Sequence, residues 1–368
     1  MKIKEVKSHI IQYDLKEELG YSQQYYQKRT GHLVEVVTDE GITGWGECFG
    51  PGNVAIANKV IVERVIQPMI LGENPLNRDV LWHKVYNLLR DHGQKGMPIQ
   101  ALSGVDIALW DILGKVTGLS ISRLIGGRFR EQVPVYGYGM MLRREKLPAL
   151  MDRFEDEAAA IKSSGFVATK MKVGLGPKQD VQLAESVRRG VGGDFPFMVD
   201  ANHCYTVDQA LYVGRALEEL DAYWFEEPVA PEDLDGYQEL RSQLTINIAG
   251  GEAEFTRWGW RNLLEKHCLD IAQPEVCALG GISEYLRVLA LAQAHFTQVI
   301  NHVWDSAVAI ATNLQLLAVI PPLPGGIHPQ EPMLEFDTTD NKFRDDLLTQ
   351  PLNICLLYTS DAADDASS

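Results

Sequence analysis

Residues 197–252 read FMVDANHCYTVDQALYVGRALEELDAYWFEEPVAPEDLDGYQELRSQLTINIAGGE. Three carboxylates in this stretch, Asp200, Glu226 and Glu252, recur every 26 residues. Each closes a short apolar run of strand character: Phe197-Met198-Val199, Ala222-Tyr223-Trp224-Phe225 and Ile246-Asn247-Ile248-Ala249. Helical patterns fill the intervals. Thr206-Val207-Asp208-Gln209 carries a capping box, and Leu211, Ala216, Leu217 and Leu220 mostly keep helical spacing after it. One strand, one helix and two loops take about this length, so the repeat predicts βα units of a parallel barrel. The C-terminal strand ends of such a barrel converge on one mouth, where three acids in register meet. Any one of them alone reads equally well as a loop residue or helix cap. Together, three hard oxygen donors with room for water and substrate suit Mg²⁺ better than Zn²⁺.

One unit upstream, Thr169-Lys170-Met171-Lys172-Val173 ends a predicted strand. Residues i and i+2 share a face, so Lys170 and Lys172 both point into the mouth. Burying two ammoniums together is costly. A like charge and desolvation both favour loss of one proton, which would make one lysine a general base. The alternative is a pair of surface lysines with their stems laid on apolar neighbours.

Downstream, Leu269-Asp270-Ile271-Ala272-Gln273-Pro274 is read as the end of the sixth strand and Val299-Ile300-Asn301-His302 as the end of the seventh. Adjacent strands are expected to set Asp270 beside His302, where a carboxylate fixes the imidazole tautomer and raises its basicity. A core histidine is the competing reading. Glu331, in Gln330-Glu331-Pro332, is expected to close the ring from the eighth strand, or else to serve as a cap or turn residue.

Around this centre, seven strand–helix units are expected between 133 and 320, with an eighth strand near 330–336. The fold class is therefore α/β, a (β/α)₇β TIM-like barrel, spanning 126–336. Residues 1–125 read as an α+β capping domain: strands over 1–12, 32–37 and 42–48, a polar, aromatic mobile loop over 13–31, then helices from about 54 to 115. Residues 337–353 are expected to return toward the capping domain. Residues 354–368 differ in composition, resemble translated sequencing-adapter read-through, and are expected to be a non-native tail outside the fold.

The whole chain bounds the function. It has 368 residues and a formal net charge of −16, which argues against nucleic-acid binding. Its five cysteines show no CxxC pairing or disulfide-like spacing, as expected in a reducing cytoplasm. No basic-then-apolar leader is read at the start, and no apolar stretch approaches the ~20 residues needed to span a bilayer.

These residues together resemble the enolase superfamily, mandelate racemase subgroup, over nearly the whole chain to about residue 353. ALSGVDIALWDILGK (101–115) and SISRLIGG (120–127) are similar to the family's signature helix and turn. TGWGECFGP, RDHGQKGMPIQALSGVDIALWDI, VDANHCYTV, WFEEPVAPEDLDGY, INHVW and EPMLEFDTTDNKFRDDLL bring it nearest to the sugar-lactone cycloisomerases. Asp305-Ser306 after Trp304, where a glycine-rich turn is expected, and Tyr21 to Lys28 depart from that pattern. The resemblance implies Mg²⁺ on Asp200, Glu226 and Glu252, with Lys172 removing the proton alpha to a substrate carboxylate and Lys170 tuning it. It further implies His302 with Asp270 as the opposite acid/base, Glu331 on the substrate carboxylate, a sugar acid or lactone as substrate, and a homo-oligomer. Acid-sugar dehydration and racemisation use the same parts. A non-catalytic sugar-acid-binding protein on this scaffold would be expected to lose one of them.

Overall fold

The computed structural model describes residues 1–349; the expectations for residues 350–368, including the non-native tail, lie outside the described residues. Eight parallel strands form the main sheet: β4 (Val135–Met140), β5 (Ala168–Lys172), β6 (Phe197–Asp200), β7 (Trp224–Glu226), β8 (Asn247–Gly250), β9 (Ile271–Ala272), β10 (Gln298–Val299) and β11 (Leu334–Asp337). Their order is β10-β9-β8-β7-β6-β5-β4-β11. The two ends of the sheet meet where Val303 N, after β10, donates to Glu335 Oε2 on β11 (2.9 Å). One helix follows each strand from β4 to β10, the first being Leu147–Ser163 and the last Ala307–Ala318. This is the (β/α)₇β barrel expected from the repeat.

Two cores follow from strand alternation. Side chains at alternate positions point inward, and Tyr136, Ala168, Met198, Trp224, Ala249, Ile271, Ile300 and Met333 fill the barrel floor. Their neighbours in sequence point outward and pack under the helices, as Val199, Phe225 and Ile248 do. The catalytically interesting positions lie one step above the floor on the same inward face.

The first domain is built on an antiparallel sheet, β1 (Ile3–Tyr21), β2 (Gln24–Thr38) and β3 (Thr43–Glu47). The helix Met97–Thr117 lies on it so closely that a Cβ at Gly44 would stand 2.1 Å from Ala108 O, and one at Gly46 2.0 Å from Gly104 O. Only glycine permits that approach. Residues 13–31, expected as a mobile loop, instead continue β1 and β2 to a two-residue turn at Ser22-Gln23. The reason is in their composition: Leu15 and Leu19 alternate into a cluster with Tyr138 and Met141, against which Tyr13, Tyr21, Tyr26 and Trp304 pack. The hairpin tip reaches the barrel mouth, where Ser22 Oγ and Gln23 Nε2 both donate to Asn202 O (2.9 Å each). Among the described residues no helix is long and apolar enough to cross a membrane.

Candidate active site and metal centre

Register sets the site. Lys172 on β5 pairs with Asp200 on β6, and Asp200 with Glu226 on β7, so three charged groups sit level at the mouth. Glu252 joins them from the loop after β8. Ligand atoms of Asp200, Glu226 and Glu252 all lie within 4.8 Å of one another. Asp200 and Glu226 are fully buried, whereas Glu252 is partly open at 19% side-chain exposure. The donor set fits a hard divalent cation: three carboxylates converge, and among the described residues the buried Glu252 Oε2 and Asn202 Oδ1 have no hydrogen-bond partner.

The lysines bind these acids directly. Lys172 Nζ is bonded to Asp200 Oδ2. Lys170 Nζ bonds Glu226 Oε1 (2.7 Å) and Glu335 Oε1 (2.6 Å). Burial lowers the Lys172 ammonium, but the Asp200 carboxylate opposes it; Lys170 pushes it down as well, while Glu252 and Glu226 push up, and the balance stands above the ordinary lysine value. The expectation that Lys170 depresses Lys172 is therefore met in sign for that pair but outweighed by the acids. Burial raises Asp200 above the usual carboxylate range, helped by Glu226 and opposed by the two lysines.

His302 enters from the loop after β10. Its Nε2 stands 3.3 Å from Glu252 Oε2, and its Nδ1 lies 2.7 Å from Glu275 Oε2. Burial disfavours the imidazolium, but Glu252, Glu275 and Glu335 outweigh it and hold the proton on well above the usual histidine range. Phe49 of the first domain meets the His302 ring edge-on at 5.9 Å and Trp304 at 6.5 Å, and Tyr26 meets Trp304 at 5.9 Å.

Two expected residues are elsewhere. Asp270 is not beside His302: its Oδ1 accepts from Arg241 Nε (2.7 Å) and its Oδ2 from Ile248 N (3.0 Å). The cause is strand parity. Ile271 points into the barrel, so Asp270, immediately before it, points out toward the helices, at the start of β9. Glu275, in Gln273-Pro274-Glu275 beyond the strand end, takes the place expected for it. Glu331 does not close the ring either: it pairs with Arg130 Nε (2.5 Å) at the other end of β11, below Met333. Glu335, on β11 itself, reaches Lys170. The alternation Glu331, Met333, Glu335 places all three on one face but at different depths. Strand length, which sequence left open, decides which glutamate is level with the site.

Residues 153–355 match the model of the enolase C-terminal domain-like family, and residues 15–126 match that of the mandelate racemase / muconate lactonizing enzyme N-terminal domain. The chain belongs to the enolase superfamily, mandelate racemase subgroup. It is 40% identical over 355 residues to D-galactarolactone cycloisomerase of Agrobacterium fabrum, covering 96% of this chain and 92% of that one. It resembles the crystal structure of 3,6-anhydro-D-galactonate cycloisomerase from Zobellia galactanivorans with a TM-score of 0.82 at 36% identity, over 94% of this chain and 89% of that one. It also resembles L-talarate/galactarate dehydratase of Salmonella typhimurium liganded with Mg and L-lyxarohydroxamate, with a TM-score of 0.83 at 26% identity, over 96% and 86%. This superfamily member is an enzyme of the cycloisomerase or acid-sugar dehydratase type.

Proposed function

We propose that the enzyme removes the proton alpha to the carboxylate of a sugar lactone or related cyclic sugar acid and then expels a ring oxygen from the beta carbon. The product is a 2-keto-3-deoxy sugar acid. The observation that carries this reading is that Lys172 on β5 and His302 after β10 reach one trio of acids from opposite sides of the barrel. A substrate held over that trio has a base on each face.

Asp200, Glu226 and Glu252 would hold Mg²⁺, which when bound supplies positive charge at the substrate carboxylate. Lys172 takes the alpha proton in its neutral form. Burial and Lys170 favour that form once the charge of Asp200 is offset. Lys170 faces the charge that develops on the substrate carboxylate oxygens. The electron pair left on the alpha carbon forms the enol double bond as the bond from the beta carbon to the ring oxygen breaks. In a lactone that oxygen departs as a carboxylate. The enol then takes a proton at the former beta carbon and becomes the ketone. His302, held by Glu275, supplies or accepts protons on the opposite face. Phe49 and Trp304 beside it offer an aromatic wall that suits the C–H face of a sugar ring.

A second reading, dehydration of an open acid sugar, is favoured by the proton that Glu252, Glu275 and Glu335 hold on His302. A departing hydroxide needs that acid, whereas a carboxylate does not. The test is a panel of aldarates, aldonates and their lactones incubated with Mg²⁺, with 2-keto-3-deoxy products measured. Turnover of lactones above aldarates is expected. Undiminished turnover after removal of metal by chelation would contradict the metal's role, and the reverse preference would favour dehydration.

A further inference from the structure

Of the three acids, Glu226 has two neutral donors on a single oxygen, whereas Asp200 Oδ1 accepts from one, Asn202 N (2.8 Å). Oε1 accepts from Lys170 Nζ (2.7 Å). Oε2 accepts twice, from Trp224 Nε1 (2.9 Å) and from Gln273 Nε2 (2.8 Å). Both of these neutral donors are buried, Trp224 at 0% and Gln273 at 1% exposure. An indole N–H can only donate, and an ionised carboxylate can only accept. The Gln273 amide must therefore turn its NH₂ toward Glu226, and its own buried Oε1 has no hydrogen-bond partner among the described residues. Trp224 is fixed in turn by Tyr136, edge-on at 5.5 Å. By contrast, Glu252 Oε2 faces His302 Nε2 at 3.3 Å, without hydrogen-bond geometry, and among the described residues accepts no hydrogen bond.

We propose that Trp224 and Gln273 are positioning residues that hold Glu226 Oε2 out of metal coordination, so that Glu226 ligates through one oxygen and the site selects a small octahedral cation over calcium. Calcium accepts six to eight oxygens, often with both oxygens of one carboxylate, whereas magnesium requires near-ideal octahedral geometry. A carboxylate with one oxygen already bonded to two neutral donors resists becoming bidentate. Lys170 does not impose the same limit on Oε1, because Glu335 gives its ammonium a second partner at 2.6 Å. The inference rests on the metal reading proposed above.

The experiment is calorimetric titration of the full chain with MgCl₂ and, separately, CaCl₂. It compares the unmodified protein with Gln273→Met, which keeps the volume, and Trp224→Phe, which keeps an aromatic ring. Each substitution is expected to weaken Mg²⁺ binding roughly 10–100-fold while Ca²⁺ binding holds or strengthens. A structural role alone would lower thermal stability without moving the Mg²⁺/Ca²⁺ ratio. Equal weakening of both ions, or no change in either, overturns the inference while leaving the metal reading intact. Failure of the unmodified protein to bind either ion refutes the metal reading itself, and this inference with it. If Trp224→Phe does not fold, Gln273→Met decides alone. If neither variant folds, the same ratio is measured in Gln273→Glu, which retains a polar side chain, and an unchanged ratio there counts against the proposal.

Discussion

The two ends of the barrel carry acids of the same kind with opposite fates. At the N-terminal end, Asp270 meets Arg241 and Glu331 meets Arg130, both near the surface. At the mouth, Glu275 meets His302 and Glu335 meets Lys170, all four buried. Asp270 and Glu275 are five residues apart in the chain, and Glu331 and Glu335 four. Residue type is therefore not what assigns an acid to the site; depth along the strand and strand parity are. An ion pair with at least one partner open to solvent contributes little, while an acid that orients a fully buried cation shapes the chemistry.

The largest contrast should be between Glu275 and Asp270. Glu275→Gln removes the anion behind His302 and is expected to lower turnover by roughly 10²-fold or more. Asp270→Asn should leave turnover within a few-fold of the parent. Steady-state kinetics on one lactone decides this, and equal losses would dissolve the contrast. Next comes Glu335, which bonds both Lys170 and Val303 N. Glu335→Gln is expected to cost roughly 10–100-fold in turnover, as loss of a hydrogen bond to a charged group does. Glu331→Gln should be neutral in turnover, because Glu331 is 40% exposed. The smallest effect is on stability. Asp270→Ala leaves Ile248 N without its acceptor and should lower unfolding stability by about 1–3 kcal/mol in urea titration, with kinetics preserved.

Much of the barrel was legible because its repeat has a fixed length. Strand ends recurring every 26 residues locate Asp200, Glu226 and Glu252, and the i, i+2 spacing puts Lys170 and Lys172 on one face. The structure brings those five together. The later strands were harder to read. β9 and β10 are only two residues each, so no alternation marks where they start or stop. Asp270 reads from sequence as a strand-end residue although it precedes β9. A signal was present: Ile271, apolar and level with Ala249, marks the inward face, which excludes Asp270 and continues to Gln273. The hairpin was missed for a different reason. Its charged positions Lys16, Glu17 and Glu18 sit where the β1–β2 register shifts, between Asp14 and Leu19, and they hid the pattern set by Leu15 and Leu19. The hydrogen bonds on Glu226 from Trp224 and Gln273 depend on two strands at once, which no single segment of sequence displays.

In the proposed mechanism Lys172 is the base that takes the alpha proton and His302 acts on the other face. Exchange of the alpha proton with solvent deuterium tests it most directly, followed by magnetic resonance on a lactone substrate in Lys172→Ala and His302→Asn. Lys172→Ala is expected to lose both exchange and turnover, and His302→Asn to retain exchange while turnover falls less on a lactone than on an aldarate. Exchange retained in Lys172→Ala and lost in His302→Asn would contradict it and make His302 the first base.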